Sequence, residues 1–132
     1  MRIVVEDANV LLDLLHGGIL AAWLGAGYKN CTTHLVWNEV ADTSQKSQIQ
    51  PFVESGLIEL IECGNEAWVE IAEFSTTARV SIPDSSVWWI AKRHEAILLT
   101  GDSKLRSSAK KTEVEVRGVL WVLDELLVKD RI

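Results

Sequence analysis

Two short, uninterrupted apolar runs constrain this chain more than any other feature: Ile3-Val4-Val5 and Ala96-Ile97-Leu98-Leu99. Runs of this length with no polar alternation read as strands covered on both faces. An acid follows each one closely, Asp7 after the first and Asp102 after the second. Asn9 to Leu15 reads as a helix stopped by Gly17-Gly18, and Ile19 to Leu24 as a second helix closed by Gly25 and Gly27. Cys31-Thr32-Thr33 is a brief strand, followed by a helix from His34 to about Thr43. The polar stretch Thr43 to Gln48 is expected as a loop, leading to a short helix to Ser55 and a strand Leu57–Ile61. Asn65 is placed as the N-cap of a helix carrying Trp68, Ile71, Ala72 and Phe74. Pro83 opens a helix through Ala91, since proline suits a first helical turn. A polar helix Ser103 to Lys110, a strand around Val114-Glu115-Val116 and a helix Val119 to Val128 complete the pass.

Strands alternating with helices predict the α/β class, a three-layer α/β/α sandwich around a central, mainly parallel sheet. The 132 residues suit one domain, residues 1–132, with no repeat and no linker. At 48% apolar residues, widespread disorder is not expected. No apolar run approaches the ~20 residues of a membrane span, so no membrane partner is expected. Met1-Arg2-Ile3-Val4-Val5 reaches acidic residues at once, unlike a secretory leader. Cys31 and Cys63 have no metal-site spacing and read as reduced thiols of a cytoplasmic protein. A net charge of −6 argues against a general nucleic-acid coat protein, yet leaves room for an enzyme with local basic groups.

In an open parallel sheet, ligands bind beyond the carboxyl ends of the strands. Asp7 and Asp102 are delivered to that edge. Asp84 lies in the first turn of the helix feeding the second apolar strand, so it begins near the same edge. Glu39 borders the buried stripe of its helix, four residues after Leu35. Carboxylates forced together repel, and a divalent cation with a preference for oxygen relieves that repulsion. Such a cluster suits phosphodiester hydrolysis. Taken singly, Asp7 and Asp102 are equally readable as helix caps, Asp84 as a complement to a helix dipole, and Glu39 as a solvated residue.

The segment Ile3 to Leu15, with Asp7-Ala8-Asn9 after its strand, resembles the opening of a PIN domain. Pro83-Asp84-Ser85-Ser86-Val87 resembles the helix bearing that family's third acid, and Leu99-Thr100-Gly101-Asp102 its closing Thr-x-Asp turn. Val116-Arg117-Gly118-Val119-Leu120 resembles the last strand and turn. The resemblance implies a Mg2+- or Mn2+-dependent endoribonuclease, similar to VapC-like toxins of toxin–antitoxin pairs, with RNA as substrate. It further implies a homodimer and an antitoxin protein as partner. By position Asp7, Glu39, Asp84 and Asp102 would be the catalytic, metal-binding acids, with Asp42 competing for the place of Glu39. Asn9, Thr100 and Ser103 would be supporting polar groups.

Trp88-Trp89 departs from the small apolar residues usual after the third acid. The six tryptophans are scattered over helices and are expected mainly in packing. Lys104, Arg106, Lys110 and Lys111 follow Asp102 on one helix, and Lys104 and Arg106 are the expected contacts to an RNA backbone. The Glu6-Asp7 pair also resembles the start of a receiver domain, but the third strand ends in Glu62-Cys63-Gly64 with no phospho-accepting Asp. A non-catalytic binding module on the same fold is the remaining alternative.

Overall fold

The structure, a computed structural model, describes residues 1–132. Strand β1 (Ile3–Glu6) is followed by α1 (Ala8–His16) and α2 (Leu20–Leu24), and β2 (Lys29–Thr33) by α3 (His34–Glu39) and α4 (Thr43–Glu54). Then come β3 (Ile58–Ile61) with α5 (Asn65–Ala78) and α6 (Ile82–Arg93), and β4 (Ile97–Leu99) with α7 (Ser103–Lys111). Strand β5 (Val116–Arg117) and α8 (Val119–Val128) close the chain. All strand pairs are parallel, in the order β3-β2-β1-β4-β5. The chain therefore builds outward from β1 in one direction, then returns to lay β4 on the other side of β1. That reversal makes the β1/β4 boundary the switch point of the sheet, where open α/β sheets bind ligands.

The strand alternation splits the core in two. Val4, Ile97 and Leu99 face one layer and pack with Leu11, Leu14, Trp23, Ile49, Val122 and Leu126 of α1, α2, α4 and α8. Val5, Cys31, Leu98 and Val116 face the other, with Val36, Val87, Ile90 and Leu105 of α3, α6 and α7. The result is a three-layer sandwich. Burying each leucine-sized side chain contributes roughly 1.5–3 kcal/mol. No helix is long and apolar enough to cross a membrane.

Local signals hold the helices in place. Asp7 caps α1, whose last turn ends at Gly17 and Gly18, the latter at φ 71°. The helix after β2 ends earlier than its sequence suggests, at Glu39, because Val40 leaves the helical conformation and buries itself. Asp42 then starts a new helix by accepting from the Gln45 N–H at 3.0 Å. The polar stretch Thr43 to Gln48, expected as a loop, is thus the first half of α4. The Asp42 cap at one end and buried Ile49, with Phe52 and Val53 packed at the core, hold it despite its poor helix formers. Gly64 occupies the N-cap position assigned to Asn65, and Asn65 is the first residue of α5.

The tryptophans serve packing for the most part. Trp88 stacks on Phe74 at 4.1 Å, while Trp89 donates from Nε1 to Glu70 at 2.6 Å. Trp23 is fully buried against Tyr28 and Trp121 and donates to Glu6 Oε1 at 3.2 Å. Glu6 itself is fully buried, its Oε2 has no hydrogen-bond partner, and burial pushes its pKa well up.

Candidate functional site

Helix ends bring the acids to the carboxyl edge of the sheet. Asp7 Oδ1 accepts from the Val10 N–H at 2.8 Å, and Asp102 Oδ1 from the Leu105 N–H at 2.8 Å. Both aspartates are therefore caps, as the plain reading of the sequence has it, but each cap uses one oxygen only. Asp7 is only 3% exposed, and its second oxygen accepts from the Thr100 hydroxyl. Asp84 sits in the first turn of α6, whose cap Ser81 accepts from the Asp84 N–H at 3.2 Å. Glu39 is the last residue of α3.

Buried hydroxyls lock α6 to the end of β2. Thr33 Oγ1 and Ser86 Oγ lie 2.8 Å apart, and the Ser85 hydroxyl donates to the Ser81 carbonyl at 2.8 Å. This brings Asp84 over the sheet edge. Asp7, Ala8, Asn9, Leu12, Glu39 and Asp84 line one cleft there. Asp102 flanks it, and its charge is felt by both Asp7 and Asp84. Glu39 and Asp42 are both exposed, but Asp42 lies outside the lining of this cleft and is engaged in capping α4. A second recess lies at the opposite sheet edge, lined by Arg2, Lys92, Glu95 and Glu115 among others. Three glutamates line it, Glu113 with Glu95 and Glu115, but they stand among the cations Arg2 and Lys92, and Arg2 pairs with Glu115 at 2.8 Å.

Crowding and burial show in the protonation equilibria. Burial raises the Asp7 pKa from 3.8 to about 6; hydrogen bonds from Thr100 and Val10 oppose this, and the charges of Asp84 and Asp102 add to it. Glu39 is raised by burial, then by Asp84 and Asp7. Asp84 is raised by burial, then by Asp102. The donor set is all carboxylate, so it fits a hard divalent cation better than zinc or copper. A cation would relieve the burial and mutual repulsion of these acids. No three acidic, histidine or cysteine side chains close tightly round one point. An ion held there would have to take the rest of its ligands from water, as Mg2+ usually does.

The basic residues divide. Lys104, in the first turn of α7, is exposed and its Nζ donates to the Arg79 carbonyl at 3.4 Å. Arg106 is half-buried, and one Nη donates to the Thr100 carbonyl at 2.8 Å. Lys110 and Lys111 lie at the far end of α7, about 12 Å along the helix from Asp102. Asn9 lines the cleft, and Ser103 stands exposed at the start of α7. Sequence reasoning passed over Arg79, which ends α5 in the left-handed conformation at φ 57°, ψ 43° beside Lys104. Nothing in its local sequence marks it, because the chain turn that places it beside α7 is a tertiary feature.

An open parallel sheet with a carboxylate-lined cleft at its switch point defines an acid-site α/β domain. The chain belongs to the PIN-domain family: the family model described as DUF3368, PIN domain, matches residues 3–132. Members of this family are generally nucleases that use divalent metal ions, which places the chain among hydrolases at the coarse level. The crystal structure of PAE2754 from Pyrobaculum aerophilum is similar at a TM-score of 0.67 and 16% identity, covering 96% of this chain and 98% of that one. FitAcB from Neisseria gonorrhoeae is similar at a TM-score of 0.52 and 18% identity, covering 86% and 95% respectively. At such identities the likeness is one of fold. No curated protein matches the chain in sequence.

Proposed function

We propose that this protein is a Mg2+- or Mn2+-dependent endoribonuclease whose metal-binding acids are Asp7, Glu39, Asp84 and Asp102. The observation that carries this reading is the single cleft at the β1/β4 switch point lined by Asp7, Glu39 and Asp84, with Asp102 on its flank. A bound divalent ion would supply a water of lowered pKa and charge stabilisation for the departing oxygen; in this reading the water attacks phosphorus and the P–O3′ bond breaks, leaving a 3′-hydroxyl and a 5′-phosphate. Asp7, fixed by Val10 and Thr100, is a preset ligand, whereas Glu39 and Asp84 lie on separate helices and adjust to the ion. Asn9, lining the cleft, and Ser103, at its rim, are supporting polar groups for ion-bound water or phosphate. Lys104, two residues past Asp102 on α7, and the remaining Arg106 donors take the phosphates of the RNA strand, with Arg79, whose carbonyl Lys104 contacts, as a further candidate.

The reading extends to a cytoplasmic toxin of a toxin–antitoxin pair. Its partners would be a second copy of the chain and an antitoxin protein. Leu120, Leu127 and Val128 are large apolar side chains left exposed on one side of α8, with Asp124 among them, and could contribute to such contacts. The open spacing of the acids favours one alternative, a binding module on the same fold.

The test is cleavage of a fluorogenic mixed-sequence RNA with Mn2+, with chelator, and by Asp84→Asn. Manganese-dependent cleavage lost in chelator and in the variant supports the reading. No cleavage, together with no greater thermal stabilisation by Mn2+ in wild type than in the variant, overturns it.

A further inference from the structure

We propose that Arg106 is a positioning residue for the carboxylate site, acting through Thr100, and that residue 118 is glycine to make room for it. The proposal rests on the metal-nuclease reading above. Thr100 joins the two aspartates of the switch point: its hydroxyl donates to Asp7 and accepts from the Asp102 N–H at 3.1 Å. Its own N–H donates to the Arg117 carbonyl at 3.1 Å, which anchors it to β5. Its carbonyl takes a hydrogen bond from Arg106 Nη1 at 2.8 Å.

Arg106 stands one turn beyond Asp102 on α7 and donates its N–H to the Asp102 carbonyl at 2.9 Å. Asp102, Thr100 and Arg106 thus form a closed ring of hydrogen bonds, with Asp7 attached through the Thr100 hydroxyl. A charged donor makes this ring stiffer than a neutral one would. Hydrogen bonds weaken steeply with misalignment, so a shift of Thr100 releases Asp7 and Asp102 together.

Gly118 supplies the independent observation. A methyl group at position 118 would lie 3.1 Å from Arg106 Nη1. The Gly118 backbone, at φ −122° and ψ −172°, is extended and open to any residue, so the consequence of a methyl there is spatial: the Arg106 guanidinium would have to give by a few tenths of an ångström, at the expense of its bond to Thr100.

The experiment compares wild type with Arg106→Leu, Arg106→Lys, Gly118→Ala and the double variant Arg106→Leu/Gly118→Ala. Three quantities are read: the Mn2+ concentration for half-maximal thermal stabilisation, the same midpoint for RNA cleavage, and hydrogen exchange of the Thr100 and Asp102 amides without metal. Arg106→Leu is expected to raise both midpoints about tenfold and to speed exchange at both amides. Arg106→Lys restores part of the loss, since one donor suffices. Gly118→Ala repeats the defect alone and adds nothing in the Arg106→Leu background. Unchanged amide exchange in Arg106→Leu and Gly118→Ala overturns the proposal, as does an equal cost of Gly118→Ala in both backgrounds. Wild type that neither binds Mn2+ nor cleaves RNA overturns the nuclease reading instead, and amide exchange still decides the positioning role.

Discussion

The Thr100 hydroxyl, just past the end of β4, donates a hydrogen bond to Oδ2 of Asp7, just past the end of β1. The bond spans the switch point of the sheet, and it favours the charged form of a carboxylate that burial pushes the other way. Thr100→Val keeps the shape and removes the donor. Asp7 then loses the partner of its second oxygen, and the Mn2+ midpoint in a thermal-shift titration is expected to rise about tenfold. Thr100→Ser should restore it. An unchanged midpoint in Thr100→Val would separate Thr100 from the site.

Asp7 gives a pH dependence of defined sign. Its pKa rises from 3.8 to about 6 on folding, so between those values the native chain binds more protons than the unfolded one. Metal-free stability therefore falls as pH climbs through that window, by up to about 3 kcal/mol. Asp7→Asn retains a capping oxygen and removes the charge. In chelator, its melting temperature should exceed that of wild type at pH 7.5, and the difference should vanish below pH 4. Saturating Mn2+ should reverse the order, because only wild type gains from binding the ion.

Glu6 makes a similar demand inside the core. Fully buried with one oxygen unpartnered, it is raised well above its usual value, so its contribution to stability is complete at low pH. That contribution is lost as pH rises from the ordinary carboxylate value of 4.5 toward the raised one. Glu6→Gln can still accept from Trp23 and has nothing to ionise. Denaturation curves should show the variant gaining on wild type as pH increases from 4 to 8; parallel curves would contradict the assignment.

Arg79 adopts a conformation that suits glycine at the end of α5. Relief of that strain, offset in part by the freedom of glycine in the unfolded chain, should let Arg79→Gly raise the melting temperature by about 1–3 °C. If Arg79 and Lys104 hold an RNA phosphate, the same variant should bind RNA more weakly, with a shallower salt dependence by about one ion. Greater stability with unchanged RNA binding would remove Arg79 from the substrate face.

Much of the site is legible in local chemistry. The apolar runs ending near Asp7 and Asp102 announce buried parallel strands, and parallel strands carry the residues at their carboxyl ends to one edge of the sheet. Pro83 and the first-turn position of Asp84 announce a helix start, and α6 does begin there. Other features were hidden for physical reasons. Thr43 to Gln48 has no apolar face of its own and mixes Thr and Ser with better helix formers, so the Asp42 cap and the core contacts of Ile49 and Phe52 decide that it is helical. Glu39 and Asp42 are both acids near a helix end, and their fates diverge because Val40 is drawn into the core between them.

The sequence by itself determined the layer architecture, the strand ends that carry Asp7 and Asp102, and the capping roles of these two aspartates, because periodicity and capping are short-range physics. Only the tertiary structure decided that β4 lies beside β1, that Glu39 and not Asp42 lines the cleft, and that Arg106 engages Thr100. Those outcomes depend on which surfaces pack together across the chain. A linear pattern records what each segment prefers; the neighbours it acquires are set by the packing of the whole.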